Sequence, residues 1–511
     1  MILKDLIRDI EVISIYGDTS LDIKNIAYNS KSVVKDSLFV AIKGMKFDGH
    51  NFVDEAVERG AKGLVLQRLA KKRRDICHII VEDSRVALAK ISSRFYHHPS
   101  QEVVLVGITG TNGKTTTAYL IESILQQADK KVGIIGTINY HYPQKTLKAI
   151  HTTPESLELQ KILREMVDSG VSHVVMEVSS HALDLKRVDG CSFNIAVFTN
   201  LSRDHLDYHQ DMTSYYKCKE RLFTDLLEQS GELPWVVINH DDPKGKALMK
   251  VAKGRILTFG MSAEVDVGAD GITCDLHGIS AKIHSPQGTF EVTSRLLGSL
   301  NIYNILAATS VGITLKIPLN VIKKGIESVT YIPGRLKRVS DNHNIHVFVD
   351  YAHTSDALQR VLLALREIER GRIICVFGCG GDRDPGKRPL MGQVSGKLSD
   401  FTVITSDNPR TEDPHKIIAE IEKGIKQSKV GSYTIIPDRW QAIHYAIDLA
   451  KPGDVVLIAG KGHETYQILG NEIRPFDDTL VAKEALNNRK QIEGKGQEAR
   501  DLKPQTSNLK L

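Results

Sequence analysis

Short apolar segments rich in β-branched residues alternate with amphipathic segments of helical period along most of the chain. The alternation begins within residues 1–99, continues through residues 100–332 and is repeated over residues 333–488. Apolar strands separated by amphipathic helices predict parallel sheets that are buried on both faces. The pattern therefore predicts an α/β protein of three domains, namely a small N-terminal α/β domain, a central parallel-sheet domain and a C-terminal Rossmann-like α/β domain.

Three segments stand apart from this alternation. Residues 255–298 contain weaker strands punctuated by glycine, which we interpret as an antiparallel addition to the central domain, and residues 301–313 have the pattern of a helix. The tail, residues 489–511, has few large apolar residues and many charges. We expect this tail to be disordered, because it cannot bury enough apolar surface to fold.

Composition excludes several classes of protein. A chain of 511 residues is too long for one hydrophobic core, and its net charge of +5 is too small to indicate nucleic-acid binding. The six cysteines include no C-x-x-C pair, which argues against a zinc site and is typical of reduced thiols in a cytosolic protein. No apolar run approaches the length that spans a membrane. We therefore expect a cytoplasmic protein without a membrane or nucleic-acid partner.

One stretch, VVLVGITGTNGKTTT, carries a chemical signature because it places a glycine loop between a strand and a helix. Gly110 and Gly113 have no Cβ, so the loop backbone can approach a phosphate chain at the positive end of the helix. Lys114 would reach the β- and γ-phosphates of a nucleotide, and the Thr115 hydroxyl would hold Mg²⁺. The first glycine of the strict P-loop is replaced by Ile108. The alternative is an ordinary strand-to-helix turn, but the flanking strand and helix favour nucleotide binding.

Polar side chains follow two further strands of the predicted central sheet. Glu177 lies at the end of the strand over residues 173–180, and His205 follows the strand over residues 194–200. Parallel sheets bind ligands at the carboxyl ends of their strands, so both residues should lie near Thr115. A carboxylate, a second ligand and a P-loop hydroxyl are what a phosphate-bound Mg²⁺ requires. Taken singly, Glu177 is equally well read as a cap or loop carboxylate and His205 as a helix cap.

Ten motifs then occur in one order along the chain between residues 109 and 464. They are T-G-T-N-G-K-T-T, M-E-V-S-S-H, T-N-L-S-R-D-H-L-D-Y-H, Y-x-x-x-K-x-x-L-F, N-I-Y-N-I-L-A-A, P-G-R, V-D-Y-A-H-T, G-D-R-D-P-G-K-R-P-L-M-G, D-N-P-R and G-K-G-H-E. This set resembles the Mur ligases over all three domains, and among them the UDP-N-acetylmuramoyl-tripeptide synthetases. The resemblance implies an ATP-dependent ligase of peptidoglycan precursor synthesis that uses Mg²⁺ and acts as a monomer.

The resemblance assigns residues to ATP by position. They are Gly110, Thr111, Asn112, Gly113, Lys114, Thr115, Thr116, Asn304, Arg335, Asp350 and His353. Catalysis is assigned to Lys114, Glu177, His205, Lys219 and Arg335. Arg335 can stabilise charge on the transferring phosphoryl group if the C-terminal domain closes over the central one. The alternative for Arg335 is a linker cation in a Pro-Gly turn.

Lys219 matches the lysine that these enzymes carbamylate. A neutral amine that captures CO₂ becomes an anion able to ligate Mg²⁺ together with Thr115, Glu177 and His205, which an ammonium cannot do. Lys217 is a near neighbour, but the spacing to the following Leu-Phe pair favours Lys219. From the sequence alone, a surface lysine on an amphipathic helix would be the simpler reading.

The resemblance also assigns two sets of substrate-binding residues. The UDP-N-acetylmuramoyl-dipeptide set is Ser30, Thr152, Thr153, Ser179 and Arg187. Leu185 stands where relatives often have Gln, and Asn29 and Lys31 stand where many have Asp and Arg. The diaminopimelate set is Arg383, Asp407, Asn408, Arg410, Gly460 and Glu464.

The D-N-P-R motif is the most informative point about the third substrate. The resemblance links it with meso-diaminopimelate, which differs from L-lysine by one distal carboxylate. The Arg410 guanidinium can pair with such a carboxylate through two hydrogen bonds, and Glu464 can accept from the distal ammonium. We therefore expect addition of meso-diaminopimelate to UDP-N-acetylmuramoyl-L-alanyl-D-glutamate through an acyl phosphate. The alternatives are a lysine-adding ligase, a folylpolyglutamate synthetase, and a nucleotide-binding scaffold that has lost catalysis.

Overall fold

The computed structural model describes residues 1–44, 47–68, 75–227, 233–340, 344–368, 371–428 and 432–501. The chain forms two compact units. The first comprises Met1–Asp270, Lys282–Val292 and Ile302–Ser328, and the second comprises Gly271–Ala281, Thr293–Asn301 and Val329–Leu511. Within the described ranges, no helix combines the length and the apolar character needed to cross a membrane.

The N-terminal domain is a five-stranded sheet with helices beside it. Its elements are α1 (Leu3–Leu6), β1 (Val12–Tyr16), β2 (Asn25–Ala27), β3 (Ser37–Val40), α2 (Val53–Glu58), β4 (Ala61–Leu66), β5 (Cys77–Val81) and α3 (Ser84–Phe95). The strand order is β1-β5-β4-β3-β2, in which only β1 is antiparallel to its neighbour. Strands β3 and β5 are buried at every position, because the sheet is covered on both faces.

The central domain is built on an eight-stranded sheet. Its elements are β6 (Val104–Thr109), α4 (Lys114–Gln127), β7 (Val132–Ile135), β8 (Asn139–Tyr142), β9 (Lys145–Lys148), α5 (Ser156–Asp168), β10 (His173–Glu177), α6 (Ser180–Asp184), β11 (Ile195–Phe198), α7 (Leu206–His209), α8 (Met212–Thr224), β12 (Trp235–Asn239), α9 (Pro243–Leu248) and β13 (Arg255–Phe259). The order is β13-β12-β11-β6-β10-β7-β8-β9, with the first six parallel and β8 and β9 antiparallel. Strand β6, which leads into the glycine loop, therefore lies between β10 and β11.

Three strands and two helices follow the central sheet. They are β14 (Gly268–Asp275), β15 (Gly278–Ser285), β16 (Gly288–Ser294), α10 (Asn301–Thr314) and α11 (Leu319–Ser328). The three strands form a separate sheet in the order β14-β15-β16. The helix predicted over residues 301–313 is confirmed as α10, and α11 packs against α4.

The C-terminal domain is a six-stranded sheet with helices between its strands. Its elements are β17 (Lys337–Ser340), β18 (His346–Asp350), α12 (Ser355–Ile368), β19 (Ile373–Phe377), α13 (Lys387–Leu398), β20 (Phe401–Ile404), α14 (Pro414–Ser428), β21 (Ser432–Ile435), α15 (Arg439–Leu449), β22 (Val455–Ala459), β23 (Tyr466–Leu469), β24 (Glu472–Pro475) and α16 (Asp478–Asp501). The order is β17-β18-β22-β19-β20-β21, parallel except for β17, and β23 and β24 form a hairpin.

Two expectations about these elements are corrected by the structure. The segment 255–298 is not wholly an addition to the sheet, because β13 is the last parallel strand of the central sheet, with three buried residues at its end. The tail is not disordered from residue 489, because α16 continues to Asp501. Its sequence there is rich in Glu, Lys, Gln, Ala and Arg, which have high helix propensity. Residues 502–511 lie outside the described residues.

Candidate active site

The glycine loop connects β6 to α4 in a backbone conformation that only glycine adopts easily. Gly110 has φ +146° and Gly113 has φ +88°. A Cβ on Gly110 would lie 1.9 Å from Thr199 Oγ1, and one on Gly113 would lie 2.3 Å from Asn304 Oδ1. Backbone geometry thus favours glycine at both positions, and a Cβ on Gly110 would also crowd the Asn200 backbone at 3.0 Å, whereas a Cβ on Gly113 would displace the Asn304 side chain.

The end of β11 holds the loop in place. Thr111 N donates to Asn200 O at 2.8 Å, and Asn112 N donates to Asn200 Oδ1 at 3.0 Å. The Thr199 hydroxyl donates to Asn112 O at 2.7 Å. Thr199 and Asn200 were not among the predicted site residues, although both lie in the T-N-L-S-R-D-H motif. They fix the loop before any nucleotide arrives.

Two lysine side chains share one carbonyl group of the loop. Lys114 Nζ donates to Gly110 O and Thr111 O, each at 2.9 Å, and Lys219 Nζ donates to Gly110 O at 2.8 Å. Lys219 lies on α8, is 1% exposed, and has its Nζ 4.6 Å from the centre of the Tyr215 ring. Burial, reinforced by the positive charge of Lys114, lowers the pKa of Lys219 well below its usual value. The surface alternative for Lys219 is therefore wrong.

The Glu177 carboxylate is held at the end of β10 beside the first turn of α4. The parallel register sets Glu177 opposite Ile108, so its side chain lies beside the start of α4. Glu177 Oε2 accepts from Thr115 Oγ1 at 2.9 Å and from Thr137 Oγ1 at 3.0 Å, and Oε1 accepts from Thr137 N at 2.9 Å. Thr137 was not predicted, because it follows β7 rather than a recognised motif. Thr116 is also buried in the first turn of α4.

His205 lies at the start of α7 with φ +54°, and its ring is 4.9 Å from the His181 ring and 6.2 Å from the Tyr215 ring, centre to centre. Among the described residues, the predicted metal set forms two pairs, because Thr115 is hydrogen-bonded to Glu177 while His205 and Lys219 both lie beside the Tyr215 ring. No group of three or more His, Cys, Asp or Glu side chains among the described residues could hold a metal ion alone. The Thr115 hydroxyl and Glu177 carboxylate nevertheless fit Mg²⁺, which often takes one or two carboxylates and completes its shell with phosphate and water.

The residues assigned to the UDP-sugar dipeptide surround the same strand ends. Thr152 Oγ1 is 3.1 Å from Thr137 Oγ1, and Thr153 Oγ1 donates to Glu177 O at 2.8 Å. Ser179 N donates to Thr153 Oγ1 at 3.2 Å, and Arg187 Nη1 donates to Thr153 O at 3.0 Å. Ser179 and Arg187 thus bond directly to Thr153, and Thr152 joins the same group through Thr137 and Glu177. Ser30 lies apart in the N-terminal domain.

Ser30 is bound within its own domain, where its hydroxyl donates to Glu55 Oε2 at 2.8 Å. Glu155 is one of the places where the N-terminal and central domains meet. Glu155 Oε2 lies 3.2 Å from Arg85 Nη1 on α3 and 3.4 Å from Arg187 Nε. Arg85 also donates to Lys43 O at 3.0 Å. Arg85 and Glu155 were not predicted, since neither belongs to a motif.

In the C-terminal domain, the end of β18 positions the second group assigned to ATP. Asp350 Oδ2 accepts from Leu336 N at 2.7 Å, so it fixes the segment that carries Arg335. The Arg335 guanidinium lies 5.8 Å from the centre of the Tyr351 ring, and His353 Nδ1 lies 2.8 Å from Tyr351 O. Burial raises the pKa of Asp350, and the nearby charge of Arg335 opposes that shift. Arg335, Asp350 and His353 are therefore neighbours.

The D-N-P-R segment follows β20 and reaches the β23–β24 hairpin. Arg410 has φ +52°, and its backbone N donates to Ile468 O at 3.1 Å. Its Nη1 donates to Gly381 O at 2.8 Å and to Asn408 O at 3.5 Å. Its Nε and Nη2 form no hydrogen bond within the described part of the chain, so this edge of the guanidinium has the two parallel donors that a carboxylate accepts.

The loop after β22 lies against the D-N-P-R segment. Gly460 has φ +114°, and a Cβ on it would lie 2.6 Å from Asp407 Oδ2. Glu464 Oε2 accepts from Asn408 Nδ2 at 2.8 Å. Arg383 lies on the neighbouring G-D-R-D loop, with its Nη1 donating to Asp382 O at 3.0 Å. The structure thus brings Asp407, Asn408, Gly460 and Glu464 together.

The fold and these two groups of residues define a P-loop nucleotide-binding protein of three α/β domains. Three family models match the chain in order: Mur ligase family, catalytic domain (residues 22–96), Mur ligase middle domain (108–312), and Mur ligase, glutamate ligase domain (334–462). The chain belongs to the Mur ligase family, whose members use ATP to form amide bonds.

Curated and solved relatives resemble the chain over nearly its full length. UDP-N-acetylmuramoyl-L-alanyl-D-glutamate–2,6-diaminopimelate ligase of Geobacter metallireducens is 45% identical, covering 97% of this chain and 100% of the relative. A solved structure of a ligase with that same name has a TM-score of 0.69 and 31% identity, covering 96% of this chain and 99% of its own. MurF ligase of Thermotoga maritima in complex with ADP shares the fold, with a TM-score of 0.59 and 22% identity, covering 85% and 93%.

Proposed function

We propose that this protein is an ATP-dependent ligase that joins meso-diaminopimelate to UDP-N-acetylmuramoyl-L-alanyl-D-glutamate. The observation that carries the proposal is the sequence identity of 41% to 46% to curated ligases of that name over more than nine tenths of the chain. The P-loop geometry and the carboxylate-binding edge of Arg410 support it independently. The product belongs to peptidoglycan precursor synthesis, which supplies the cell wall.

The reaction proceeds in two steps. The D-glutamyl γ-carboxylate attacks the γ-phosphorus of ATP, which gives an acyl phosphate and releases ADP. The neutral amine of diaminopimelate then attacks the acyl carbon, forms the C–N bond, loses one proton to solvent and expels phosphate. Because phosphoryl transfer needs positioning and charge neutralisation above all, we assign these tasks to Lys114 and Arg335. We assign nucleotide binding to the glycine-loop N–H groups and Asn304 of the first compact unit, and the family resemblance adds Asp350 and His353 of the second.

Mg²⁺ is the cation that this chemistry uses, and it would supply charge neutralisation at the phosphates. We propose Thr115, Glu177, His205 and Lys219 as its holders, the last as a carbamate. The low pKa of Lys219 supports this assignment, because only the neutral amine reacts with CO₂. The amine nitrogen bonds to the carbon of CO₂ and loses one proton, which leaves a carbamate anion.

The UDP-sugar dipeptide and the amino acid are assigned to residues of different compact units. Thr152, Thr153, Ser179 and Arg187, with Ser30 of the N-terminal domain, hold the anionic UDP-sugar dipeptide. Arg383, Asp407, Asn408, Arg410, Gly460 and Glu464 select the amino acid. Losing the partner of a desolvated Arg410 would cost about 2–5 kcal/mol, which is enough to separate diaminopimelate from lysine, because lysine lacks the distal carboxylate. Because all three substrates are small intracellular metabolites, we also propose that the protein acts in the cytoplasm, and from the family resemblance we propose a monomer.

The test is phosphate release by the purified protein with ATP, Mg²⁺ and the UDP-sugar dipeptide, comparing meso-diaminopimelate with L-lysine. We expect strong preference for diaminopimelate, and Arg410→Met should remove most of that preference while sparing the reaction with lysine. Preference of the wild type for lysine would retain the ligase and refute the role of Arg410. Absence of phosphate release with both acceptors would refute the ligase proposal.

A further inference from the structure

A fully buried lysine lies between the two loops assigned to the amino acid. Lys461 is 0% exposed and directly follows Gly460 at the end of β22. Its Nζ donates to Asn408 Oδ1 at 3.2 Å and to Glu464 Oε2 at 3.1 Å, and it lies 5.5 Å from the centre of the Tyr466 ring. A buried ammonium is tolerated only where such partners compensate it, so the position is specific.

The amide of Asn408 has a single orientation in this cluster. Its Oδ1 accepts from Lys461 Nζ and, at 3.0 Å, from Ile468 N, while its Nδ2 donates to Glu464 Oε2 at 2.8 Å. A flipped amide would point its N–H groups at two donors. The Asn408 side chain is therefore occupied within the protein, although the sequence suggested that it binds the amino acid directly.

The Glu464 carboxylate is anchored through one oxygen only. Oε2 accepts two hydrogen bonds, one from Asn408 Nδ2 and one from Lys461 Nζ. Oε1 accepts no hydrogen bond within the described part of the chain, and the side chain is 17% exposed. One oxygen is thus fixed by the protein, and the other is left for a group that arrives from solution.

The backbone on both sides of Lys461 is tightly constrained. Gly462 has φ +55°, and a Cβ there would lie 2.7 Å from Tyr351 Cβ. Glu464 N donates to Lys461 O at 2.9 Å, which closes a tight turn between the two charged residues. With Gly460 also at positive φ, the loop has two positions that disfavour any side chain.

We infer that Lys461 is a positioning residue for the amino-acid substrate, since its buried ammonium and Asn408 together hold the Glu464 carboxylate so that Oε1 receives the distal ammonium of that substrate. The inference rests on the proposed function and deepens it by naming what orients Glu464. Charge selection at the distal amine then depends on a residue that does not touch the substrate. Removing Lys461 should weaken recognition of the distal ammonium in particular.

The experiment compares meso-diaminopimelate with 2-aminopimelate, which keeps both carboxylates but lacks the distal amine. In Lys461→Met, the KM for diaminopimelate should rise by about 30-fold or more, as expected when one partner of a buried charge pair is removed. The KM for 2-aminopimelate and the KM for ATP should change by less than about threefold. The preference for diaminopimelate should therefore collapse. Lys451→Met, an exposed lysine before the same strand, is the matched control and should leave the preference intact.

A double-mutant cycle shows whether Lys461 acts through Glu464. Glu464→Gln alone should also lose the preference, and adding Lys461→Met to it should raise the KM for diaminopimelate by less than about threefold more. Additive effects, or an unchanged preference in Lys461→Met, would overturn the inference. If Lys461→Met does not fold, as judged by circular dichroism, Lys461→Gln is measured in the same way and its unchanged preference would overturn it equally. A wild type without activity on diaminopimelate would instead refute the proposed function.

Discussion

Replacing the buried amine of Lys219 with an apolar side chain should stabilise the protein while abolishing its activity. The Lys219 side chain is almost wholly buried and makes one hydrogen bond, to Gly110 O. That carbonyl also accepts from Lys114, so it keeps a donor when Lys219 is removed. Lys219→Met has nearly the same length, which leaves little cavity. The structure therefore predicts that the substitution removes a desolvation cost without creating an unsatisfied group.

The expected gain in the free energy of unfolding follows from the hydration that the amine loses on burial. Burial penalises the amine in either protonation state, and exchanging a buried ionisable group for an apolar one of similar volume is worth about 1–4 kcal/mol where no partner is left unpaired. The aromatic face of Tyr215 compensates part of this cost, by about 0.5–2 kcal/mol, so we expect a net gain of about 1–2 kcal/mol. For a unit of this size, that corresponds to a rise in Tm of about 2–6 °C.

The assay is urea and thermal unfolding in buffer freed of CO₂, so that Lys219 carries a free amine. Lys217→Met is the matched control two residues away, since Lys217 is 64% exposed and pairs with Glu220. It should change stability by less than about 0.5 kcal/mol and leave turnover intact. Lys219→Met should lose nearly all phosphate release, and Lys219→Ala should be partly rescued by a short carboxylic acid in the buffer. Destabilisation of Lys219→Met by more than about 1 kcal/mol would refute the burial argument, and normal turnover would refute the carbamate.

Three further outcomes are expected. Glu177→Gln should lower kcat by about 100-fold or more, because an amide cannot accept three hydrogen bonds at the sites that the carboxylate uses. Gly113→Ala should weaken ADP binding in calorimetry, since the new Cβ would meet the Asn304 side chain. Gly271→Ala is the control, because Gly271 also has positive φ but has nothing within 4 Å of a Cβ. It should cost only about 1 kcal/mol of stability and leave ADP affinity unchanged. The buried Asp478 carboxylate pairs with Arg439, so Asp478→Asn should cost about 3–5 kcal/mol in urea unfolding. Glu472 forms an exposed pair with Arg474, so Glu472→Gln should cost less than about 1 kcal/mol.

Each of these outcomes has a result that would contradict it. Wild-type turnover in Glu177→Gln would remove that residue from the catalytic group. Equal ADP affinity in the two glycine variants would show that the loop tolerates a Cβ despite the short contact. Equal unfolding midpoints for the two ion-pair variants would show that the buried pair, in which Arg439 binds Asp478 through two nitrogens at 2.7 Å each, contributes no more than a surface pair.

The convergence of Thr115 and Glu177 could be predicted from sequence, because buried parallel strands deliver the residues that follow them to one edge of the sheet. The β8–β9 hairpin was not predicted, because its strands are four residues long and β9 is polar and largely exposed. Thr137 was missed with it, since it lies on the connection between β7 and that hairpin. Short polar strands leave little periodicity to read.

Lys461 shows a different limit of sequence analysis. Lysine is rarely buried, so a sequence favours an exposed position for it by default. Whether it is buried depends on Asn408 and Glu464, which lie 53 residues before it and 3 residues after it. The same holds for the orientation of the Asn408 amide, because only tertiary neighbours distinguish its oxygen from its nitrogen. The motifs identified the loops that form the site, but not which of their side chains bond to other protein groups rather than to the substrate.

The Glu155 carboxylate, shared by Arg85 and Arg187, limits how the N-terminal domain can be exchanged between relatives. A chimaera that joins a foreign N-terminal domain at the boundary near residue 100 would keep Glu155 and Arg187 but replace Arg85. Unless the donor sequence supplies a cation at the equivalent place on α3, Glu155 would lose one of these two arginine partners at the junction. Domain grafting in this fold therefore has to transfer residues from both sides of the junction as a set.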